Sequence, residues 1–263
     1  MALYGVIADI HGNREALGVA LAALASRHIE QLLCLGDLVG YNADPDECVA
    51  LVREQGALAI AGNHDLIGLG RLDSRRCSNK AAYALRRTRA RLAPETRDYL
   101  AALPPYRELG DGVVLVHGGV RDVQQYMIGP DLLLQNAAYL GQDFPRARVC
   151  FFGHSHEQKV YRIDADRVEE LPWSGRIGLD RNARYFVNPG AVDASRKRGP
   201  KLAECALFDS AARTLELLRL PYDAAAAEAK AAAFGYRMTP LIEHAYALRR
   251  RLRRLSWRRA TAR

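Results

Sequence analysis

The sequence predicts an α/β fold in which two β-sheets are flanked by helices. Short apolar runs alternate with amphipathic segments through residues 3–61 in the order β-α-β-α-β, which indicates a parallel sheet with right-handed crossovers. A mostly helical region follows, and a run of β-segments then occupies residues 160–220. The later strands therefore supply a second sheet, and the helices cover the outer faces of both.

The expected elements are short and are separated by polar or proline-containing turns. Strands are expected at Leu3–Ala8, Gln31–Leu35, Ala57–Ala61, Val113–Val116, Val149–Phe152, Val160–Ile163, Arg184–Val187, Glu204–Phe208 and Thr214–Leu218. Helices are expected at Arg14–Ser26, Pro45–Gln55, about Ser78–Leu103 with a break at Pro94, Ala224–Phe234 and Pro240–Arg259. One domain over residues 1–235, with a helical insert at about 78–103, is then followed by a basic C-terminal helix over 236–263.

Composition indicates a soluble cytoplasmic protein. Apolar residues make up 49% of the chain and charged residues 26%, and no stretch approaches the ~20 apolar residues of a membrane-spanning helix. The N-terminus lacks the basic region of a signal peptide. The five cysteines are odd in number, widely spaced and never arranged as CxxC, so we expect reduced thiols rather than a disulfide framework.

Six short polar pieces carry most of the side chains with chemical potential. They are Asp9-Ile-His11, Gly36-Asp37, Gly62-Asn63-His64-Asp65, His117-Gly118, Gly153-His154-Ser-His156 and Asn188-Pro-Gly190. The pieces with candidate ligands each follow an expected strand, and they hold five of the seven histidines. Because ligands of open α/β sheets gather at the carboxyl ends of strands, we expect these side chains to converge on one crevice. The other two histidines, His28 and His244, fall in expected helical stretches.

The spacing within these pieces favours a site for divalent metal ions. In Asp9-x-His11 the i, i+2 spacing at a strand end directs both side chains to the same side, and His154 and His156 repeat it. Asp, Asn and His ligands suit Mn, Fe, Zn or Co and argue against calcium. A single piece of this kind is more typical of a turn or a core histidine, but all of them in this order favour a metal centre.

Together these residues resemble the calcineurin-like metallophosphoesterase superfamily, whose pattern is DxH, GD, GNHD or GNHE, H and GHxH. The match runs from Asp9 to His156 with no motif missing, and the Asn-Pro-Gly segment extends it to residue 190. Gly36-Asp37-Leu-Val-Gly-Tyr41 followed by Asp44-Pro45 is similar to the small bacterial phosphoesterase and phosphodiesterase branch. The resemblance implies a four-layer α/β/β/α sandwich with two mixed sheets flanked by helices.

The resemblance also implies a role for each matched side chain. Two divalent ions would be bound, with manganese favoured and Fe, Zn, Ni or Co as alternatives. The ligands would be Asp9, His11 and His156 on one ion, Asn63, His117 and His154 on the other, and Asp37 on both. His64 would face the substrate and stabilise or protonate the leaving oxygen, and Asp65 would orient the His64 ring.

The implied reaction is hydrolysis of a phosphoester, with a metal-bridging hydroxide attacking phosphorus in line. Two divalent ions, two carboxylates and one hydroxide leave a net charge of about +1 in the cleft, which favours an anionic phosphate. We therefore predict a phosphatase or phosphodiesterase that acts on a small or exposed phosphorylated substrate without a covalent enzyme intermediate.

Departures from the family pattern lie outside the expected metal ligands. Members of this branch commonly have Asn-Pro-Gly-Ser followed by Gly, whereas this chain has Asn188-Pro-Gly-Ala191-Val-Asp193 and then the basic Ala194-Ser-Arg-Lys-Arg198. We expect Arg196 and Arg198, together with Arg121, to contact the substrate. A solvated basic loop is the alternative interpretation.

The net charge of +8 belongs to the C-terminal tail. Residues 249–263 hold eight arginines and no acid, and without them 30 basic residues balance 30 acidic ones. One interpretation is a cationic helix that binds nucleic acid or an anionic membrane surface. The other is a terminal helix docked through Leu248, Leu252 and Leu255, which share one face; we favour docking because the helix has no other apolar face to bury.

Two other functions stay open. The chain could be a nuclease that holds nucleic acid with the arginine-rich tail, or a non-catalytic scaffold of the same fold, as in a subunit of the retromer complex. The balanced charge of residues 1–248 argues against the nuclease. His64, at the position of the catalytic histidine, argues against the scaffold.

Overall fold

Two six-stranded mixed sheets lie at the centre of the protein in the computed structural model, which describes residues 2–172, 175–246 and 248. The strands are β1 (Leu3–Ile7), β2 (Gln31–Cys34), β3 (Leu58–Ala59), β4 (Arg107–Leu109), β5 (Val113–Leu115), β6 (Val149–Phe151), β7 (Lys159–Asp164), β8 (Arg167–Glu170), β9 (Arg176–Gly178), β10 (Arg184–Asn188), β11 (Leu202–Asp209) and β12 (Thr214–Pro221). The helices are α1 (Arg14–Ala25), α2 (Pro45–Glu54), α3 (Asn63–Leu69), α4 (Asn79–Arg91), α5 (Pro94–Ala102), α6 (Pro130–Asp143) and α7 (Ala224–Ala233).

Each sheet combines three neighbouring parallel strands with three strands that pair antiparallel. The first has the order β3-β2-β1-β11-β12-β9, in which β1 to β3 run parallel, as the β-α-β-α-β pattern predicted. The second has the order β4-β5-β6-β10-β7-β8, in which β5, β6 and β10 run parallel. Within each sheet the parallel strands therefore bring their carboxyl ends to one edge, where the loops that follow them can meet.

Three apolar cores separate the layers and confirm the predicted α/β/β/α arrangement. Neighbouring strand residues point to opposite faces, so Val6 of β1 enters the core between the sheets and Ile7 the core under α1 and α2. In β6, Phe151 likewise faces the other sheet, while Cys150 packs with the residues of α6. Burial on both faces explains why these central strands read as continuous apolar runs.

Several elements differ from the expected ones. The sequence pattern did not predict α3, α6, β4, β8 or β9. The edge strands β8 and β9 escaped notice because most of their residues are exposed, and α3 has only seven residues. The expected strand Ala57–Ala61 shortens to two paired residues, and the helical region 78–103 divides into α4 and α5 before Pro94. His28 lies in the turn after α1 with a φ of +53°, not in a helix.

The C-terminal segment is only partly described. Residues 240–246 are helical, in agreement with the start of the expected helix, and the Tyr246 ring lies 5.9 Å from that of Tyr83 in α4. The arginine-rich residues 249–263 lie outside the described part of the chain. All five cysteines are unpaired, and no helix among the described residues is long and apolar enough to cross a membrane.

The core between the sheets should govern stability, and Phe208 tests this. Its ring is fully buried and lies 5.5 Å from the Phe151 ring and 6.3 Å from the Tyr4 ring. We expect Phe208→Ala to lower the free energy of unfolding by about 3–5 kcal/mol, because truncation leaves a cavity between two rigid sheets. Urea unfolding followed by circular dichroism measures the change. Leu241→Ala, at an 81% exposed position, is the control and should change it by less than about 0.5 kcal/mol.

Candidate metal centre and cleft

Loops at the carboxyl ends of strands from both sheets bring the predicted metal ligands together. Asp9 and His11 follow β1, Asp37 follows β2, Asn63 begins α3, His117 follows β5, and His154 and His156 follow β6. Each of these side chains is buried, with at most 6% of the residue exposed. Their donor atoms converge from five separate sequence pieces.

The donor atoms form overlapping triplets whose members lie within 4.8 Å of one another. One triplet is Asp9, His11 and His156, and another is Asp37, His117 and His154, which correspond to the two expected ligand sets joined by Asp37. A third comprises His11, Asp37 and His64, so the His64 ring belongs to the same cluster. The structure thus brings together the residues that the sequence motifs had singled out, and their function as ligands stays a prediction.

The first triplet places like atoms against each other. His11 Nε2 and His156 Nε2 are 3.0 Å apart, and Asp9 Oδ1 lies 3.4 Å from His156 Nε2 and 3.9 Å from His11 Nε2. His11 Nδ1 faces the Val39 carbonyl at 3.3 Å and is the nitrogen that can donate there. Its Nε2 therefore presents a lone pair to the cluster.

The second triplet shows the same pattern in a tighter form. The Leu35 carbonyl can only accept, so His117 Nδ1 donates to it at 2.7 Å and Nε2 of a neutral ring is an acceptor. That nitrogen lies 3.0 Å from Asn63 Oδ1 and 3.3 Å from Asp37 Oδ2, which are themselves acceptors. Three acceptors in contact repel unless a proton or a cation lies among them.

Protons fill this role when the protein's own groups are considered alone. Burial by itself lowers the pKa of His117, but the neighbouring Asp37 carboxylate outweighs this effect, and the pKa of His117 is raised to about 9. Burial raises the pKa of Asp9 to about 7. His154 Nε2 and His156 Nδ1 are buried without a hydrogen-bond partner among the described residues. Divalent cations would replace the shared protons and satisfy the facing acceptors, so these residues fit a metal centre.

The backbone at the site is strained in a repeated way. Five predicted ligands have φ between 53° and 65°, in the left-handed region that residues other than glycine rarely adopt. They are Asp9, His11, Asp37, His154 and His156. Each such residue costs about 1–2 kcal/mol. Within the described part of the chain, five of the nine non-glycine residues with positive φ are thus predicted ligands, which the sequence pattern did not reveal. Clustered strain of this kind is typical of functional sites.

Asp65 does not orient the His64 ring as expected. Its two oxygens accept backbone N–H groups from Asp37 at 2.8 Å, Gly62 at 2.9 Å and Val39 at 3.2 Å. His64 Nδ1 is buried and has no hydrogen-bond partner within the described part of the chain. The third residue of α3 lies where unpaired amides at the helix N-terminus point, so its carboxylate binds backbone and fixes the Asp37 loop.

Rings and one close backbone approach hold His64 instead. Its backbone N–H donates to Asp37 Oδ1 at 2.7 Å, and its ring centroid lies 4.5 Å from that of His11 and 5.1 Å from that of Tyr41. Gly40 lies against both imidazoles with a φ of +147°. A Cβ at this position would fall 2.6 Å from His64 Nδ1 and 2.8 Å from His11 Nδ1, so only glycine fits.

A cleft of about 370 Å³ opens onto the cluster. Its lining includes Asp37, Asn63, His64 and His154 of the cluster, with Tyr41, Arg76, Gln124, Tyr126 and Arg196 around them. Tyr126 is 40% exposed and its ring packs 4.1 Å from that of His154. Sequence reasoning missed Tyr126, Gln124 and Arg76, because they lie in irregular segments without a motif.

Only one of the three arginines expected to contact substrate lines this cleft. Arg196 reaches it from the loop that follows Asp193. Arg121 instead pairs with Asp143 at 2.6 Å and lies 4.2 Å over the Tyr139 ring. Arg198 is exposed and is not among the lining residues. The expectation for Arg121 and Arg198 therefore receives no support from the geometry.

Asn188, from the Asn-Pro-Gly segment, acts on the ligand loop rather than on the cluster itself. Its amide nitrogen donates to the Gly153 carbonyl at 3.0 Å and to Ser155 Oγ at 2.9 Å. Its carbonyl oxygen accepts the Gly190 N–H at 2.9 Å. These bonds hold the turn in which His154 and His156 lie.

Known proteins are similar to this chain in both sequence and fold. The domain profile of the calcineurin-like phosphoesterase superfamily matches residues 2–213. The chain belongs to this superfamily. An uncharacterized protein of Methanocaldococcus jannaschii is 32% identical over 226 residues, covering 84% of this chain and 88% of the relative. The resemblance that the motifs indicated is therefore confirmed.

Solved structures agree with this assignment. The crystal structure of a metallophosphoesterase from Sphaerobacter thermophilus is 29% identical, covers 93% of this chain and 98% of its own, and superimposes with a TM-score of 0.74. A hypothetical protein from Pyrococcus horikoshii OT3, at 19% identity, covers 90% of this chain and 95% of its own with a TM-score of 0.70, which supports the fold alone. The protein is a metallophosphoesterase, a metal-dependent hydrolase of phosphoesters.

Gly40→Ala tests the close packing of the two imidazoles. The new methyl group would displace the His64 and His11 rings, so we expect phosphoesterase activity to fall at least ten-fold while cooperative unfolding persists. Activity and the unfolding midpoint are measured on the same preparation. Gly18→Ala is the matched control, because nothing lies within 4 Å of its Cβ and alanine suits helix α1. Unchanged activity in Gly40→Ala would contradict the packing described.

Proposed function

We propose that the protein is a dinuclear phosphatase or phosphodiesterase whose metal ions lie in the buried cluster. Asp9, His11 and His156 would hold one divalent ion, Asn63, His117 and His154 the other, and Asp37 both. The observation that carries the proposal is the contact of His117 Nε2 with two acceptors, Asn63 Oδ1 and Asp37 Oδ2. A divalent cation held by these residues would replace this repulsion with coordination bonds.

Manganese is the metal that we propose, with Fe, Zn, Ni or Co as alternatives for this oxygen and imidazole set. Divalent ions bound there would polarise the phosphoryl oxygens and lower the pKa of an attacking water. The protein's own contribution is to hold the ligands rigidly. Asp65 fixes the Asp37 loop through the backbone amides of Asp37 and Val39, and Asn188 fixes the turn of His154 and His156.

His64 is the residue that we propose for the leaving group. It lines the cleft beside Asp37 and belongs to the same cluster. Burial lowers the pKa of the His64 imidazole, against the opposing effect of the Asp37 carboxylate, so the ring is mostly neutral at pH 7. A neutral ring would donate its N–H to the leaving oxygen as negative charge develops there.

Arg196 is the residue that we propose for the phosphate oxygens. Its guanidinium lies 5.8 Å from the Tyr126 ring, and Nη1 is 3.4 Å from the His154 carbonyl. Among the described residues no carboxylate lies within ion-pair distance of it, so its charge is available to a ligand. A planar guanidinium suits two oxygens of one phosphate group.

The surroundings of this site are also proposals. Five unpaired cysteines fit a reducing compartment, and we propose a cytoplasmic location. The catalytic domain would span residues 1–235, and the basic C-terminal segment would span residues 236–263. Its arginines would contact nucleic acid, an anionic surface or only solvent, and deleting residues 249–263 tests whether the segment docks on the domain. A drop in the unfolding midpoint indicates a docked helix.

Metal dependence tests the proposed reaction. We expect the protein to be inactive after dialysis against EDTA and to hydrolyse p-nitrophenyl phosphate or bis-p-nitrophenyl phosphate when Mn²⁺ is restored. Comparison of the two substrates separates monoesterase from diesterase. Absence of activity on both with Mn²⁺, Ni²⁺, Co²⁺, Zn²⁺ and Fe²⁺ would contradict the proposed function.

His64→Ala tests the role of the leaving-group residue. We expect kcat to fall about 10²- to 10⁴-fold, the usual contribution of a positioned proton donor, while the bound metal is retained. Metal content by inductively coupled plasma mass spectrometry and kcat are measured together. His244→Ala, an exposed histidine outside the cluster, is the control. Loss of metal in His64→Ala would identify His64 as a ligand and overturn its assigned role.

Arg196→Ala tests the phosphate contact. Charge-assisted hydrogen bonds contribute about 1.5–3 kcal/mol, so KM should rise about 10- to 100-fold while the metal content stays constant. Arg198→Ala removes the same charge two residues further along the loop, and should change KM less than two-fold. Equal effects of both substitutions would show that only the overall charge of the loop matters.

A further inference from the structure

We propose that Lys197 and Glu204 are positioning residues whose buried ion pair directs Arg196 into the cleft. The basic loop, residues 194–198, carries Arg196, Lys197 and Arg198 in succession. The inference rests on the proposed role of Arg196 in binding phosphate. It concerns residues that touch neither the metal cluster nor the cleft.

The side chains of Arg196, Lys197 and Arg198 lie in different surroundings. Arg196 and Arg198 are both exposed residues, but only Arg196 lines the cleft. Lys197 turns inward, where its Nζ pairs with Glu204 Oε2. The side chains of this pair are only 17% and 6% exposed, whereas those of the Arg121–Asp143 pair are 45% and 34% exposed. Burying Lys197 therefore decides which way its two neighbours face.

Glu204 is held at its other oxygen by a second chain of contacts. Glu204 Oε1 lies 3.2 Å from Arg219 Nε, which donates to Gln158 Oε1 at 3.1 Å. The Gln158 amide nitrogen lies 3.0–3.2 Å from the carbonyls of Pro189, Cys205 and Leu218. Gln158 is two residues beyond His156, so the same network ties the basic loop to the loop of the predicted ligands.

The turn of the Asn-Pro-Gly segment leaves room for this carboxylate. Gly190 has a φ of +84°, and a Cβ there would fall 2.1 Å from Glu204 Oε2. Glycine at this position is thus required by the carboxylate as well as by the backbone conformation. The turn that precedes the basic loop therefore leaves a space at Gly190 that the Glu204 carboxylate occupies.

Hydrogen bonds fix the start of the basic loop. Lys201 Nζ donates to the carbonyls of Ala194 at 3.0 Å and Ser195 at 3.2 Å. Before the loop, Asp193 Oδ1 accepts from Asn13 at 2.8 Å and Asn42 at 3.0 Å, close to the loop of Asp9 and His11. With the start of the loop held in this way, the inward turn of Lys197 leaves the Arg196 guanidinium facing the cleft.

A contribution to stability does not account for the Lys197–Glu204 pair. Removing two charges from water costs about as much as their attraction returns, and apolar replacements of such pairs are often neutral. What a buried pair does provide is one preferred arrangement, because every alternative leaves a charge unpaired in the interior. In this loop that arrangement sets the direction of Arg196.

Lys197→Met and Arg198→Met separate positioning from charge, because each removes one positive charge from the same loop. The Kd for inorganic phosphate is measured by isothermal titration calorimetry on the Mn²⁺-loaded full-length protein, alongside KM and kcat. We expect Lys197→Met to raise the Kd and KM about five-fold with kcat within two-fold, since the phosphate contact weakens and the metal centre persists. Arg198→Met should change each value less than two-fold.

A double-mutant cycle provides the decisive comparison. If Lys197 acts through Arg196, Lys197→Met should not weaken phosphate binding further in a protein that already carries Arg196→Ala. An equal weakening in both backgrounds, or none in the single variant, would overturn the inference. Should Lys197→Met fail to fold, Glu204→Gln breaks the same ion pair with little change of shape and must show the same dependence on Arg196.

The phosphate Kd keeps this test separate from the proposed function. Wild-type protein that binds phosphate but hydrolyses no ester would contradict the proposed catalysis, while the cycle on Kd would still decide the role of Lys197. Wild-type protein that binds no phosphate would overturn the positioning role as well. Lys197→Arg, which retains the ion pair, should restore the Kd to within two-fold of the wild type.

Discussion

The packing of lone-pair acceptors against one another in a dry interior is the constraint on which the rest of the structure depends. Asn63 Oδ1 and Asp37 Oδ2 lie 3.0 Å and 3.3 Å from His117 Nε2, and His11 Nε2 faces His156 Nε2 at 3.0 Å. Burying acceptors without donors is unfavourable by several kcal/mol. Cations bound among these acceptors would resolve this conflict, which is why we propose the cluster as the metal site of this metallophosphoesterase.

The fold supplies the rigidity that such an arrangement needs. Loops that would otherwise relax are anchored on strands buried on both faces, and the apolar cores on either side of each sheet resist displacement. The left-handed backbone at Asp9, Asp37 and His154 is tolerated for the same reason. A strained and electrostatically unfavourable site is thus maintained by packing elsewhere.

Local pattern was sufficient for much of this architecture. Continuous apolar runs predicted the central strands, and the polar pieces after them predicted the cluster, because parallel strands carry their carboxyl ends to one edge. The direction of single side chains depended on contacts distant in sequence. Asp65 lies next to His64 in the chain but binds three backbone amides, and Arg121 is captured by Asp143. Neither partner could be inferred from spacing. The ion pair between Lys197 and Glu204 could not be predicted from the sequence either, because it depends on how the basic loop packs against strand β11.

Anomalous diffraction from crystals grown with Mn²⁺ tests the central claim most directly. The account predicts two peaks about 3.5–4 Å apart. One should be bound by Asp9, His11 and His156, the other by Asn63, His117 and His154, with Asp37 in contact with both. A map with no peak among the facing acceptors, or with a single peak that leaves His117 Nε2 uncoordinated, would contradict it.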